Sequence, residues 1–190
     1  MGSGLILLIL IAVAAMYLVG VYNSLIGKRV GTQNAWAQID VQLKRRHDLI
    51  PNLVETVKGY ASHEKETLER VIQARNAAAN VPDSAGIAQH AQAENMLTGA
   101  LRQIFALSEN YPDLKANQNF LALQEEIAST ENRIGFARQN YNDNAALFNT
   151  ALQQFPGNVV AGFGSFKLAE FYQLDASEAK AVRETPKVSF

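Results

Sequence analysis

Three histidines, His47, His63 and His90, are the side chains in this sequence best suited to metal binding or acid–base chemistry. None belongs to an H-x-x-x-H pair and none has a glutamate three residues before it, so the zinc-protease and di-iron helix motifs are absent from the sequence. The chain contains no cysteine, which excludes thiol nucleophiles, disulfides and thiolate-bound metals. Glycine-rich nucleotide loops and the G-x-S-x-G nucleophile motif are also missing. We therefore expect no catalytic residue, metal, cofactor or small-molecule substrate.

The densest group of functional side chains is the run Lys44, Arg45, Arg46, His47 and Asp48. On a helix, three consecutive basic residues point in different directions, so they cannot all face one partner. Arg46 lies nearest the apolar stripe of its helix. Two interpretations follow. The run is either a docking surface for a protein or an anionic group, or a structural element in which Arg46 or Asp48 pairs with a carboxylate on another helix.

Two charged residues interrupt the apolar stripe of a later helix, Glu131 and Arg138. Together with Arg46 and Asp48 they are candidates for buried polar pairs, because burying such a charge without a partner is strongly unfavourable. A different hypothesis is an enzyme with an unrecognised site, which would centre on His47 and Asp48 with Arg138.

The overall charge argues against a nucleic-acid partner. The net charge is −1 and the estimated pI is 6.3, whereas nucleic-acid-binding domains are clearly basic. The basic run also lacks interleaved aromatic residues on which bases could stack.

An apolar segment near the start of the sequence predicts a membrane anchor. Leu5 to Val21 holds seventeen uncharged residues, and Gly2–Gly4 with Tyr22 extend the uncharged stretch to about twenty, enough to cross a bilayer as a helix. A cleaved signal peptide is the alternative, but no basic residue precedes the apolar run. We therefore predict a transmembrane helix in residues 1–22.

Flanking charges predict the orientation of this anchor. Residues 1–46 carry a net charge of +4 (five basic residues and one acidic), and Lys28 and Arg29 lie nearest the apolar segment, on its carboxyl side. The positive-inside rule then places the large domain on the cytoplasmic side of a bacterial inner membrane, with the short N-terminus outside.

The periodicity after the anchor is helical. From Trp36 onwards, apolar residues recur at alternating spacings of three and four, which predicts a helix over residues 33–80. The stripe keeps its phase across Pro51, so we predict a kink there rather than a helix end. Gly27 and Gly31, in residues 23–32, are predicted to form a joint between anchor and helix.

Three more helices are predicted, over residues 84–109, 113–154 and 159–172, followed by a partly mobile tail at 173–190. The sequence shows no strand pattern. The predicted fold class is all-α: a transmembrane helix, then an elongated antiparallel helical bundle over residues 33–172 with three long or medium helices and a short C-terminal one.

The stretch WAQIDVQLKRRHDLIPNLV, residues 36–54, strongly resembles the LemA family. The same resemblance extends to further segments, namely Tyr22-Asn23, Tyr60–Glu64, Tyr111–Asn117, Thr130–Ile134, Ala137-Arg138 and Tyr141-Asn142. It covers nearly the whole chain and is least diagnostic after Tyr172. It implies a single-pass, membrane-anchored antiparallel helical bundle.

The resemblance implies little chemistry, because no enzymatic activity is established for the family. Some members are associated with magnetosome membrane formation, and genes of relatives often lie beside genes for membrane metalloproteases. The first hypothesis is a non-catalytic anchored scaffold that acts through self-association as a homo-oligomer, or by docking a membrane-protein partner. The second is a regulatory adaptor or sensor for a membrane enzyme such as a metalloprotease.

Overall fold

The computed structural model describes residues 2–82 and 84–173. Among these residues there is no β-strand, and the predicted all-α fold is confirmed. The described helices are α1 (Gly2–Tyr60), α2 (Lys65–Ala79), α3 (Ile87–Ser108), α4 (Pro112–Lys115), α5 (Gln118–Gln153) and α6 (Gly157–Phe163). The predicted tail, apart from Gln173, lies outside the described residues.

Helix α1 begins with the apolar segment predicted to be an anchor. Every side chain from residue 3 to residue 20 is exposed, including those of Leu5, Leu8 and Met16. The helix is long and apolar enough to cross a membrane. An apolar surface of this extent is unfavourable in water and favourable in hydrocarbon, so this part of α1 is a candidate membrane span by length and composition.

The prediction of a separate helix beginning near Gln33 was wrong. Helix α1 runs through the predicted joint without a break, and both Gly27 and Gly31 lie inside it. Each glycine weakens a helix by about 1 kcal/mol relative to alanine. Burial of neighbouring side chains offsets this loss, since Leu25 and Ala35 are almost fully buried.

Helix α1 also ends earlier than predicted, at Tyr60 rather than near Asn80. The next four residues form a break before α2. Contacts from distant residues hold this break: the Nδ2 of Asn117 donates to the Tyr60 hydroxyl at 2.8 Å, and the Tyr111 hydroxyl donates to Glu64 Oε1 at 3.1 Å. Pro51 lies inside α1, as its preserved stripe indicated, and a kink at Pro51 stays a prediction.

The last long helix is divided as well. The predicted helix at 113–154 consists of the short α4, a break at residues 116–117, and α5. The break has a local cause, because the Asn117 side-chain oxygen accepts a hydrogen bond from the Phe120 backbone N–H at 2.9 Å. This is an N-cap interaction that starts a new helix. The predicted helix at 159–172 is shorter than expected, since α6 ends at Phe163 and the residues after it are not helical.

The helices belong to two compact units. Unit 1 comprises residues 2–38 and 137–170, and unit 2 comprises residues 39–136 with 171–173. The core of unit 1 is a small cluster of Leu25, Phe148, Leu152 and Val160. The core of unit 2 is larger and draws on α1, α2, α3, α4 and α5; it includes Ile50, Leu53, Val57, Val71, Leu97, Ile104, Leu114 and Phe120.

Candidate functional site

Arg46 on α1 belongs to unit 2 and is fully buried. Its guanidinium forms salt bridges with Glu94 of α3 and Glu131 of α5. The Nη1 group also donates to the Thr98 hydroxyl at 3.0 Å. Arginine is suited to this position, because its planar group carries several donors and can serve two carboxylates at once. One side chain therefore connects three helices.

His47, the next residue, extends this network toward α2. Its Nε2 lies 2.8 Å from Glu94 Oε1, so Glu94 contacts both Arg46 and His47. The backbone carbonyl of His47 accepts a hydrogen bond from Arg75 Nε of α2 at 3.3 Å. We call the group of Arg46, His47, Glu94, Thr98 and Glu131 the charge cluster.

The charge cluster keeps its principal groups ionised. Burial alone would raise the pKa of Glu94, but the hydrogen bond from His47 and the attraction of Arg46 outweigh burial and lower that pKa below its ordinary value of 4.5. Burial likewise opposes the charge on Arg46, and the nearby carboxylates of Glu131 and Glu94 outweigh it and raise the pKa of Arg46. The fold therefore contains a stable buried cation between two anions.

The sequence places these polar residues inside by ordinary helical spacing. On α1 the buried apolar residues Leu43 and Ile50 are two turns apart, and Arg46 with His47 fills the intervening position on the same face. On α3, Glu94 falls between the buried residues Ala91 and Leu97. Arg46, His47 and Glu94 thus occupy positions where an apolar side chain would continue the stripe.

The structure brings together two of the four residues named as buried pairs, Arg46 and Glu131. Asp48 is not buried: it lies at the surface and pairs with Lys44 one turn earlier, at 3.0 Å. The expectation that Asp48 is a buried partner is therefore corrected, because Asp48 faces away from the stripe that Arg46 joins. Arg138 is buried on α5 and belongs to unit 1.

Sequence reasoning missed Glu94 and Thr98. The signal for Glu94 was present, because it interrupts the apolar stripe of α3 in the same way that Glu131 interrupts the stripe of α5. Thr98 carries no such signal, since it lies beside the stripe and its role appears only when Arg46 reaches it.

The five residues predicted to form a docking surface divide between two environments. Arg46 and His47 are buried in the charge cluster, whereas Lys44, Arg45 and Asp48 are exposed. Arg45 pairs with Glu126 of α5 at 2.8 Å. We call the exposed residues Asp40, Val41, Lys44, Arg45 and Asp48 the outer face of α1.

A cleft of about 250 Å³ lies beside the charge cluster in unit 2. Residues from α1, α2 and α3 line it, among them His47, Asp48, Arg75, His90 and Glu94. The ring Nε2 of His90 lies 3.2 Å from the Pro82 carbonyl oxygen. Within residues 2–82 and 84–173, no three histidine or carboxylate side chains are grouped to hold a metal ion.

Comparison with known proteins identifies the family. Residues 35–190 match the family model described as LemA family. The chain is 31% identical over 159 residues to Protein LemA of Metamycoplasma hominis, a match that covers 82% of this chain and 71% of the relative. It is 24% identical over 175 residues to Magnetosome protein MamQ 2 of Paramagnetospirillum magneticum, covering 80% of this chain and 64% of that protein. Magnetosome protein MamQ of Magnetospirillum gryphiswaldense is 23% identical over 174 residues, with the same coverage.

In the described part of the chain, the all-α fold with one helix able to cross a membrane defines a membrane-associated helical protein. The chain belongs to the LemA family, which confirms the resemblance seen in its residues. Neither the family description nor the names of these relatives denotes an enzyme.

The charge cluster predicts loss of stability in acid. Because the pKa of Glu94 is lowered in the folded state, its ionised form stabilises the fold at pH values above about 4.5. That contribution is lost as the pH falls through the folded-state pKa. We expect the free energy of unfolding to decrease steadily on acidification below about pH 5.

The variant Glu94→Gln tests whether Glu94 is responsible. It should be less stable than the wild type at pH 7, because Arg46 loses an anionic partner, and it should lose less stability on acidification. Denaturant titrations of the detergent-solubilised chain between pH 3 and pH 7 (roughly the range over which carboxylates titrate) measure both effects. Glu69→Gln, at an exposed position of α2, is the control. An acid dependence equal in Glu94→Gln and the wild type would refute the assignment.

Proposed function

We propose that this protein is a non-catalytic, single-pass membrane-anchored scaffold that docks a protein at the membrane. The observation that carries the proposal is the continuity of α1, which includes both the exposed apolar segment and the buried Arg46. The same helix would therefore insert into the membrane at one end, and further along it forms salt bridges with α3 and α5.

The outer face of α1 is better suited to bind a protein than to bind nucleic acid or anionic lipid. Val41 is 62% exposed and lies among charged neighbours, an arrangement typical of interfaces with an apolar centre and a polar rim. Lys44 and Arg45 are each paired with a carboxylate, so this face has no excess of positive charge to attract nucleic acid or anionic lipid. The proposed docking surface therefore differs from the run at 44–48: it excludes Arg46 and His47, which are buried, and includes Asp40 and Val41.

Crosslinking in membranes tests the docking surface. A photo-crosslinking amino acid at Val41 should give a discrete covalent product, because a docked protein would cover this side chain. Ile72, an exposed apolar residue of α2, is the matched control position and should give little product.

The identity of the crosslinked product distinguishes self-association from docking of a different membrane protein. A product of two copies of this chain would show self-association, and a product that contains a membrane protease would favour the adaptor form suggested by the family resemblance. A chain that stays monomeric and gives no product at Val41 would contradict the scaffold proposal.

We further propose that the helical domain faces the cytoplasm, on the basis of Lys28 and Arg29 at the carboxyl end of the apolar segment. The cysteine-free chain allows a direct test with the single variants Ser3→Cys and Ser189→Cys. In intact cells, a membrane-impermeant maleimide should label Ser3→Cys and leave Ser189→Cys unlabelled until the membrane is permeabilised. Labelling of Ser189→Cys in intact cells would show that the helical domain lies outside the cytoplasm. Partners would then be sought among proteins of the cell envelope.

The enzyme hypothesis, which centres on His47 and Asp48, would have to use the cleft beside the charge cluster. The burial of His47 and its contact with Glu94 support a structural role for this histidine instead.

A further inference from the structure

Helix α6 packs against α1 where the uncharged segment of α1 ends. Leu25 of α1 is buried together with Val160 of α6, and Val21 packs against the same cluster. A Cβ added at Gly157 would lie 3.8 Å from a methyl group of Leu25, an ordinary contact with α1, but only 2.0 Å from the Ala151 carbonyl oxygen of α5. Glycine at position 157 therefore allows the start of α6 to lie close against the backbone at the end of α5.

The opposite face of this segment is apolar and exposed. Phe155 is 81% exposed, Val159 is 46% exposed and Phe163 is 91% exposed. Val159 and Phe163 are four residues apart and therefore lie on one side of α6, away from the buried Gly157 and Val160, and Phe155 lies in the turn just before this helix. Two phenylalanines so exposed on one short segment are unusual in water, and such patches commonly mark an interaction site.

Aromatic and basic residues of α1 lie close to Phe166, which follows α6 in the sequence. Tyr22 contacts Phe166 edge to face, with ring centroids 5.7 Å apart. The Arg29 guanidinium lies 5.4 Å from the centroid of the same Phe166 ring. Amphipathic aromatic rings and basic side chains are enriched where a membrane-crossing helix enters the headgroup region. The features around Phe166 thus match the boundary between hydrocarbon and water.

We propose that residues 155–163 form a second membrane contact, in which Phe155, Val159 and Phe163 insert into the lipid interface beside the end of the α1 anchor. This inference rests on the proposed membrane anchoring of α1. The assignment to lipid follows from continuity, because α6 packs directly on the turn of α1 that follows the exposed apolar segment. A seven-residue helix with one apolar face and a buried opposite face can lie in the interface without crossing it.

Fluorescence in vesicles tests this contact in the full chain. Single cysteines at Ala12, Phe136 and Phe163 are labelled with an environment-sensitive NBD probe and reconstituted in vesicles of phosphatidylcholine and phosphatidylglycerol. Phe136 is the matched control, because it is a phenylalanine of α5 that is 75% exposed and belongs to unit 2. Ala12 reports on the anchor itself.

The probe at Phe163→Cys should emit at shorter wavelength than the probe at Phe136→Cys and should be quenched at least about twofold by lipids that carry a shallow nitroxide. The probe at Ala12→Cys should be quenched best by a deep nitroxide, and the probe at Phe136→Cys by aqueous iodide. Because Phe163 is almost fully exposed, replacing it removes little packing, and circular dichroism of the labelled variants should match that of the wild type.

The outcomes distinguish this inference from the proposed anchor. A Phe163→Cys probe that behaves like the Phe136→Cys probe, while Ala12→Cys is quenched by lipid, would overturn the second contact and leave the anchor intact. A blue-shifted Phe163→Cys probe that lipid nitroxides do not quench would mean that protein covers this face, which also overturns the lipid assignment. Absence of lipid quenching at Ala12→Cys would refute the anchor and with it the premise of this inference.

Discussion

The burial of Arg46 is the interaction on which the arrangement of unit 2 depends. A guanidinium stays charged at any pH at which proteins fold, so its burial is tolerated only where anions surround it. Glu94 and Glu131 supply these anions from two different helices. A site with two carboxylates from different helices has a defined geometry, because both must reach one planar guanidinium. We infer that Arg46 sets the register of α1 against α3 and α5.

This constraint has a consequence for function, because α1 is also the helix that is able to cross a membrane. One part of α1 is fixed by salt bridges and another part is apolar. Such a helix can hold a protein-binding face at a set distance from the bilayer. No chemical step is needed for such a role. Family membership and the two magnetosome relatives agree with a membrane-related role, and the docking activity itself is the proposal made above.

The sequence predicted most of the helices and the anchor, because periodicity and uncharged length are local properties. It also singled out Arg46 and Glu131, since both stand at stripe positions; in the structure they pair, with Arg46 buried and Glu131 partly exposed. The break after Tyr60 was missed because the Asn117 side chain that contacts Tyr60 is distant in the sequence. The break before Gln118 has a local cause, the Asn117 N-cap, which the sequence analysis did not use. Glu94 was missed for a different reason: its stripe position was visible, but its partner on α1 could be assigned only in three dimensions.

A double-mutant cycle on Arg46 and Glu94 tests the central claim most directly. The free energy of unfolding is measured for the wild type, Arg46→Met, Glu94→Gln and the double variant. Each single change should destabilise by up to about 3–5 kcal/mol, because it removes one partner of a buried charge. The double variant should be at least about 1.5 kcal/mol more stable than the sum of the two losses implies. Losses that add to within about 0.5 kcal/mol would show that the two side chains act independently, and would contradict the account.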